Sequence, residues 1–503
     1  MSKIFYRLTS MSSNQIRNAS ISSSPLKVSE DVTTLKSWRE IPGPPTLPII
    51  GQLHNFLPGG SLFKLEGMGL YEQLYEKYGP VVRVNAVLKP DVLILFDAES
   101  IAKIFYGENR IPVRPAFFSM EYYRRYYKNK DPNKPTGLVT DQGYNWRQFR
   151  SKVGPALLMP KFVKLYSKTV DEVALETIAR WRRVRDHNNM IRENFDREMN
   201  LWSLESIAVV ALGTRLNSLD AELPKDSPVN RLIECAHDLL LIANELDYKP
   251  SLWKYYPTKM FKRAMKVYED IDIITKHYIA NATEKFKNNG KTGDEESILE
   301  KLLKIDEEVA HIMASDMLIA GVDTTSNTML ATMYLLAMNP EKQQKLREEV
   351  LSNDEKKPYL KACIKESMRL MPVVGLNFRE TTRSYDILGY EVPKGMGVLF
   401  CHRLLSLLES NFPKAQQFIP ERWIVDESDP MHNGSAHPFV HLPFGFGVRS
   451  CIGQRIAELE IETLLSRVVQ NFNLEWVGPP PTVHSTHVNY VKGPYNFILN
   501  DIV

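Results

Sequence analysis

The chain has little cysteine, almost no net charge and no long apolar run. Its 503 residues include four cysteines, Cys235, Cys363, Cys401 and Cys451, with no CxxC pair among them. That usage excludes a disulfide-stapled secreted scaffold and suits a reducing compartment or a thiol kept for other work. The formal net charge is +3, so no strong polyanion-attracting field arises and no nucleic-acid partner is expected. No apolar stretch reaches the roughly 18–20 residues that span a bilayer. Neither an internal repeat nor a long Gly/Ser linker divides the chain. Acidic residues are missing from positions 1–29, where Lys3, Arg7, Arg17, Lys27 and nine serines fall; the first carboxylate is Glu30. A basic, serine-rich, acid-free leader without an apolar centre has the composition of an organelle transit peptide, and the alternative is a plain disordered tail.

What is present is enough apolar material, 43% of the residues, for a sizeable core. A stiff run, Ile41-Pro42-Gly43-Pro44-Pro45, opens the folded part. Two β-type runs follow, Val81–Val87 and Val92–Phe96, split by the turn-forming Lys89-Pro90-Asp91. Helical periodicity then dominates, over Lys161–Arg185, Asn200–Leu212, Lys262–Lys287 and Pro340–Ser352. The expected architecture is mainly α with a small β-rich lobe: a leader over residues 1–36, then one large domain over 37–503.

One stretch concentrates unusual residues: Pro443-Phe444-Gly445-Phe446-Gly447-Val448-Arg449-Ser450-Cys451-Ile452-Gly453. An amphipathic helix follows from Gln454 to about Phe472, with Ile456, Leu459, Ile461, Leu464 and Leu465 on its apolar side. Cys451 thus lies in a glycine-rich turn before a helix N-terminus, where free N–H groups and the helix dipole favour thiolate over thiol. Such a thiolate suits an axial position on iron. The plainer reading is a buried free cysteine beside a turn.

The stretch resembles the cysteine loop of the cytochrome P-450 family, Phe-x-x-Gly-x-Arg-x-Cys-x-Gly, with every fixed position matched by Phe444, Gly447, Arg449, Cys451 and Gly453. Three further elements are similar to the family's, in its order. Trp146 and Arg150, four apart on one helix face, match its Trp-x-x-x-Arg, which contacts the haem propionates; an aromatic beside a surface arginine is the plainer reading. A long helix at about Glu307–Met338, capped by Asp306 and stopped before Asn339-Pro340, spans about 48 Å. Its centre, Ala320-Gly321-Val322-Asp323-Thr324-Thr325, is similar to the Ala-Gly-x-Asp-Thr segment in which Asp and Thr manage protons for dioxygen. Its small residues would let a flat cofactor approach, and its glycine and threonine pair permit a kink. An Asp in apolar surroundings is costly without work or a partner. Glu366 and Arg369, on a helix Pro358–Met371, with Arg422, match the structural triad that supports the cysteine loop; alone, Glu-x-x-Arg is a common surface pattern. Arg379 falls where many members place another propionate ligand.

The resemblance implies haem b held by the Cys451 thiolate, with Trp146, Arg150, Arg379 and Arg449 at its propionates, and a monooxygenase using dioxygen. Mitochondrial-type members, the arthropod ones above all, are the most similar. They imply an adrenodoxin-like ferredoxin and its reductase as donor, docking at Lys361, Lys365 and Arg455; Gln454 departs from the common pattern, which has a second arginine there. Solvated surface lysines are the plainer reading. Microsomal members usually start with a membrane helix, and mitochondrial ones with a leader like this one, so the expected location is the matrix side of the inner mitochondrial membrane, with peripheral contact. Segments 111–135, with Phe117, Phe118, Tyr122 and Tyr123, and 235–262, with Trp253, Tyr255 and Tyr256, are expected at an apolar substrate, steroid-like or foreign, as are Val373, Val374 and Phe378. Lysines among the aromatics suit a membrane interface. The other readings are the same chemistry driven by a microsomal diflavin reductase, a haem-thiolate isomerase or dehydratase needing no reductase, and a non-catalytic haem binder.

Overall fold

A computed structural model describes residues 34–502 except 86–89, 109, 129–130, 132, 193, 221–222, 290–295, 353 and 486–487. Nearly all of the leader, the end of the first β-type run and Lys89 of the turn lie outside the described residues. In chain order the helices are α1 Gly67–Tyr78, α2 Ala98–Gly107, α3 Phe118–Tyr122, α4 Gly143–Leu157, α5 Pro160–Val184, α6 Phe195–Leu212, α7 Pro228–Ile242, α8 Lys259–Asn289, α9 Ile298–Ile305, α10 Glu307–Ala337, α11 Pro340–Leu351, α12 Pro358–Leu370, α13 His402–Ser406 and α14 Gln454–Asn471. The strands are β1 Lys36–Ser37, β2 Val81–Val84, β3 Val92–Leu95, β4 Asn377–Glu380, β5 Tyr385–Ile387, β6 Tyr390–Val392, β7 Gly397–Phe400, β8 Phe472–Trp476, β9 Thr482–Ser485, β10 Asn489–Lys492 and β11 Phe497–Asp501.

Local chemistry sets the helix ends. Asp306 accepts from Val309 N at 3.2 Å and caps α10. Pro340 stands in the first turn of α11, where its missing N–H costs nothing. Ser297 and Glu300 form a reciprocal capping box on α9. The four-stranded sheet β2-β3-β7-β4 joins distant segments: β3 pairs parallel with β7, Ile94 opposite Leu399, and β4 runs antiparallel on the far side, Arg379 opposite Val398. This sheet and Phe105, Phe400 and Phe439 build one core. The larger core lies among the helices, where α10 packs along α6 and α14 along α5.

The long helix is α-helical throughout its 31 residues, and the expected loosening takes the form of side-chain bonds to its own carbonyls, Thr324 to Ala320 O at 2.7 Å and Thr328 to Thr324 O at 2.8 Å. Gly321 serves a different purpose from the one expected. A Cβ there would stand 2.7 Å from Ile207 Cγ1 on α6, and Ser203 donates to Gly321 O at 3.0 Å. The glycine lets two helices close on each other. Ala320, one residue earlier, points to the open side with Thr324 one turn beyond.

Candidate active site

The cysteine loop is shaped by its glycines and its backbone bonds. Gly445 and Gly447 have φ of 70° and 72°, left-handed values that side chains with a Cβ avoid. Cys451 N donates to Phe444 O at 2.9 Å and Ser450 N to Gly447 O at 3.0 Å, which folds the loop back before α14. Phe444 packs, half-buried, against the helical core. Gly453 is the residue preceding α14, and its N–H points to the Cys451 sulfur. Cys451 reaches solvent locally, yet burial by the surrounding chain pushes its thiol up, against the Gly453 N–H and the Arg150 and Arg114 charges. The Gly453 N–H acts in the expected direction, towards thiolate, and burial opposes it. A metal ion, which deprotonates a coordinating thiol, would reverse that balance.

Around this loop four guanidiniums converge. Arg449 and Arg379 are buried, and Trp146, on α4, is buried beneath Arg449, whose guanidinium carbon is 4.2 Å from the ring centre. Arg150, one turn further along α4, donates to Ser450 O at 3.2 Å. Arg114 was missed by sequence reasoning; it exchanges backbone bonds with the Gln142 side chain, at 2.9 Å each, just before α4. Burial, then repulsion from Arg114 and Arg379, pushes the Arg449 guanidinium down to about 8. Burial also lowers Arg114, Arg150 and Arg379. One carboxylate answers them: Glu108 Oε1 stands 2.5 Å from Arg379 Nε. Arg449 Nε and Nη1 and Arg114 Nε have no hydrogen-bond partner.

The support beneath is dense. Glu366, fully buried on α12, accepts from Arg369 Nε at 2.9 Å and Nη2 at 2.8 Å, and from Arg422 Nε at 3.0 Å. Ile419 N at 3.0 Å and Trp423 Nε1 at 2.9 Å complete the set, and the Trp423 bond was not foreseen. Arg369 Nη1 also donates to Ser406 O and Ala415 O, at 2.8 and 2.7 Å. The triad thus ties α12 to the segment leading into the cysteine loop.

On α10, Asp323 is 2% exposed and its Oδ2 has no hydrogen-bond partner. His237 Nδ1 on α7 lies 3.7 Å from that oxygen. The Asp323 carbonyl accepts from Asn327 Nδ2 at 2.8 Å, and Asn327 Oδ1 accepts from Val491 N on β10 at 2.9 Å, so α10 is fixed to that hairpin.

The family model that describes cytochrome P450 matches residues 41–500. The chain belongs to the cytochrome P450 family. It is similar to "Cytochrome P450 CYP12A2" of Musca domestica, 37% identical, covering 91% of this chain and 90% of the relative. It is 36% identical to "Probable cytochrome P450 12a5, mitochondrial" of Drosophila melanogaster, covering 93% and 91%. "Cytochrome P450 12b1, mitochondrial" of Drosophila acanthoptera is 33% identical, over 93% and 90%.

Membership makes the chain a monooxygenase, an oxidoreductase that uses haem b with a cysteine thiolate on the iron. The residues fit such a group. A cluster of four arginines, two buried and two half-buried, with one carboxylate among the described residues and three buried guanidinium nitrogens without partners calls for an anion, and a dianionic propionate edge supplies it. Ala320 offers a small side chain on the open side of α10.

Beyond the cofactor, Lys361 and Lys365 are exposed on α12 and Arg455 is exposed at the start of α14, where its guanidinium also reaches Leu158 O. Lys357 extends the lysine pair to three at four-residue spacing, a periodicity that was open to view. All three lysines act on Glu462 of α14, which burial raises. Gln454 donates to Glu458 at 2.9 Å. The aromatic segments divide. Trp253 is buried and stacks on Phe261 at 5.5 Å, with Tyr122 edge-on, so these three tie α3 to α8 and do not form a membrane face. Tyr123 is likewise buried, against Tyr268. Tyr255, Tyr256 and Leu252 are exposed. Val373 forms a small cluster with Val488, Tyr490 and Leu240. Among the described residues no helix is long and apolar enough to cross a membrane.

Proposed function

We propose that this chain is a mitochondrial, ferredoxin-driven monooxygenase that hydroxylates an apolar small molecule. The observation that carries the reading is the cysteine loop set beside four guanidiniums, two buried and two half-buried, with one carboxylate paired to them among the described residues. Cys451 is the thiolate ligand, with Phe444 and Gly453 shaping its loop. Trp146, Arg150, Arg379, Arg449 and Arg114 hold the propionates, and Glu366, Arg369 and Arg422 keep the loop in place. Bound haem supplies the activation of dioxygen, one atom entering a C–H bond and the other leaving as water. The chain's own residues deliver protons and keep water away. The Thr324 hydroxyl, on the open side of α10, hands protons inward and is recharged by buried Asp323.

Two of the three relatives named above carry "mitochondrial" in their names, and the acid-free leader agrees. Lys357, Lys361, Lys365 and Arg455 form a positive face that would dock an acidic ferredoxin, passed electrons by its reductase, and steer it with a salt-sensitive rate. Exposed apolar residues at Leu47, Ile49, Ile50 and Leu57, and at Leu252, Tyr255 and Tyr256, suit peripheral contact with the inner membrane, from the matrix side. Val373, Leu240 and Val488 make the substrate surface apolar, which fits a steroid-like or foreign compound. The isomerase reading is disfavoured by the intact Asp323–Thr324 pair.

Replacing Cys451 tests the ligand. The Cys451→Ser protein is expected to lose the thiolate-type absorption band of the reduced carbonyl form; its retention would remove the central residue from the scheme. Lys361→Glu with Lys365→Glu is expected to slow reduction by ferredoxin at low salt and to flatten the salt dependence. An unchanged rate would place the docking face elsewhere.

A further inference from the structure

Two titratable side chains that have no role so far, from two further elements, meet Asp323. His237 comes from α7, Asp323 from α10 and Tyr490 from β10. The His237 ring packs edge-on against Tyr490, with centroids 5.1 Å apart at 71°. Its Nδ1 is 3.7 Å from Asp323 Oδ2, within ion-pair range but too long for a hydrogen bond. Asp323 and Tyr490 are both buried, and neither Asp323 Oδ2 nor the Tyr490 hydroxyl has a hydrogen-bond partner. The His237 side chain is 39% exposed. Of the three groups it alone is substantially exposed, and it faces the buried carboxylate.

We infer that His237 is a positioning residue that carries protons between solvent and the Asp323 carboxylate, with Tyr490 holding its ring in line. This rests on the proposed role of Asp323 in recharging Thr324. The imidazolium gives its Nδ1 proton to Asp323 Oδ2, and the neutral ring, which keeps its Nε2 proton, turns and takes a proton from hydronium at Nδ1, so charge is restored and no electrons move. A small ring rotation or one bridging water closes the 3.7 Å approach. The surrounding charges are set for this. Asp323 raises the proton affinity of His237 most, burial opposes it, Asp238 on the same helix adds to it and Lys492 of β10 subtracts. Asp238 is itself paired with Arg263 of α8 at 2.7 Å. Tyr490, raised by burial and by Asp323, stays neutral and contributes no competing charge. A histidine held above its ordinary value is protonated over part of the neutral range, where a relay needs it.

The test uses holoenzyme. Histidine NMR titration of the diamagnetic ferrous carbonyl form, assigned with His237→Gln, is expected to show His237 titrating above its ordinary value, and lower in Asp323→Asn. An unshifted His237 in Asp323→Asn overturns the proposal. Dioxygen uptake and peroxide release are then followed from pH 6 to 8, with reduced ferredoxin as electron source. His237→Gln is expected to raise the peroxide fraction, slow water formation roughly tenfold and erase its pH dependence. A group touching the reacting atoms would cost a hundredfold or more. His237→Lys, which keeps an ion pair but does not titrate in this range, is expected to give a flat profile too. If His237→Lys keeps the wild-type profile, the histidine is only a structural partner and the relay is refuted. If Asp323→Asn leaks peroxide while His237→Gln matches wild type, the relay falls and the Asp323 role stands. If Asp323→Asn itself changes nothing, both fall.

Discussion

Replacing Glu366 by Gln removes the one charge that balances two buried arginines. Glu366, Arg369 and Arg422 are all fully buried, and five N–H groups converge on the two carboxylate oxygens. Arg369 keeps three backbone carbonyl partners after the change, at Ser406, Ala415 and Gln417, and Arg422 keeps Pro413. Those carbonyls hold only some of the donors, Arg422 Nη1 having no partner even in the wild type, and none supplies the charge that two guanidiniums need in a dry interior. Removing one partner from a buried ionic group costs about 3–5 kcal/mol, a large share of a net stability of order 5–15 kcal/mol. Removing one donor alone, Trp423→Phe, costs about 1.5–3 kcal/mol, the range for a hydrogen bond to a charged group. Urea unfolding followed by tryptophan fluorescence and by haem absorbance reads both, with midpoints compared at equal slope. The expected order of loss is Glu366→Gln greater than Trp423→Phe. The triple change Glu366→Leu, Arg369→Met, Arg422→Met is expected to cost less than the single change, because it buries no unpaired charge. A Glu366→Gln midpoint within about 0.5 kcal/mol of wild type, the usual effect of a surface substitution, would refute the reasoning.

Thr324→Ala is expected to keep consuming electrons while releasing peroxide; unchanged coupling of reductant to product would take Thr324 out of proton delivery. The arginine cluster predicts that apoprotein takes up haem b more than tenfold better than its propionate dimethyl ester, read by absorbance titration, and equal uptake would deny the cluster its anion. Burial pushes His402 down to about 4, and burial with repulsion from His402 and Arg369 pushes His441 down to about 3. The unfolded chain then binds protons below pH ~6.5 that the native chain refuses, so stability falls as pH drops from 6.5 towards 4, by up to ~3 kcal/mol for His402. Chemical denaturation of wild type and His402→Gln at pH 7.5 and 5 checks this; equal losses in both proteins would contradict it.

The helices were legible because their signals are local. The Asp306 cap, the Pro340 stop and the apolar positions of α14 need only neighbouring residues, and those ends fall within a residue of expectation. The cysteine loop and the Glu366 triad were legible because chemistry ties residue types to order along the chain. The pairing of β3 with β7 was not, since it joins segments some three hundred residues apart that share no local signal. For the same reason Arg114 was missed: only the fold brings it to Arg449. Gly321 was misread, because a glycine is silent about which neighbour needs its missing Cβ, and that neighbour is Ile207. His237 carries no motif at all; its meaning comes from the helix crossing that sets it against Asp323.

The most direct test of a mitochondrial haem-thiolate monooxygenase is the rate of haem reduction under carbon monoxide in the purified protein, with ferredoxin and its reductase compared against the microsomal diflavin reductase. Fast appearance of the thiolate-type carbonyl band with ferredoxin alone is the predicted result. Reduction by the diflavin enzyme alone would contradict the proposed donor and location, and absence of that band even after chemical reduction would contradict the haem-thiolate assignment itself.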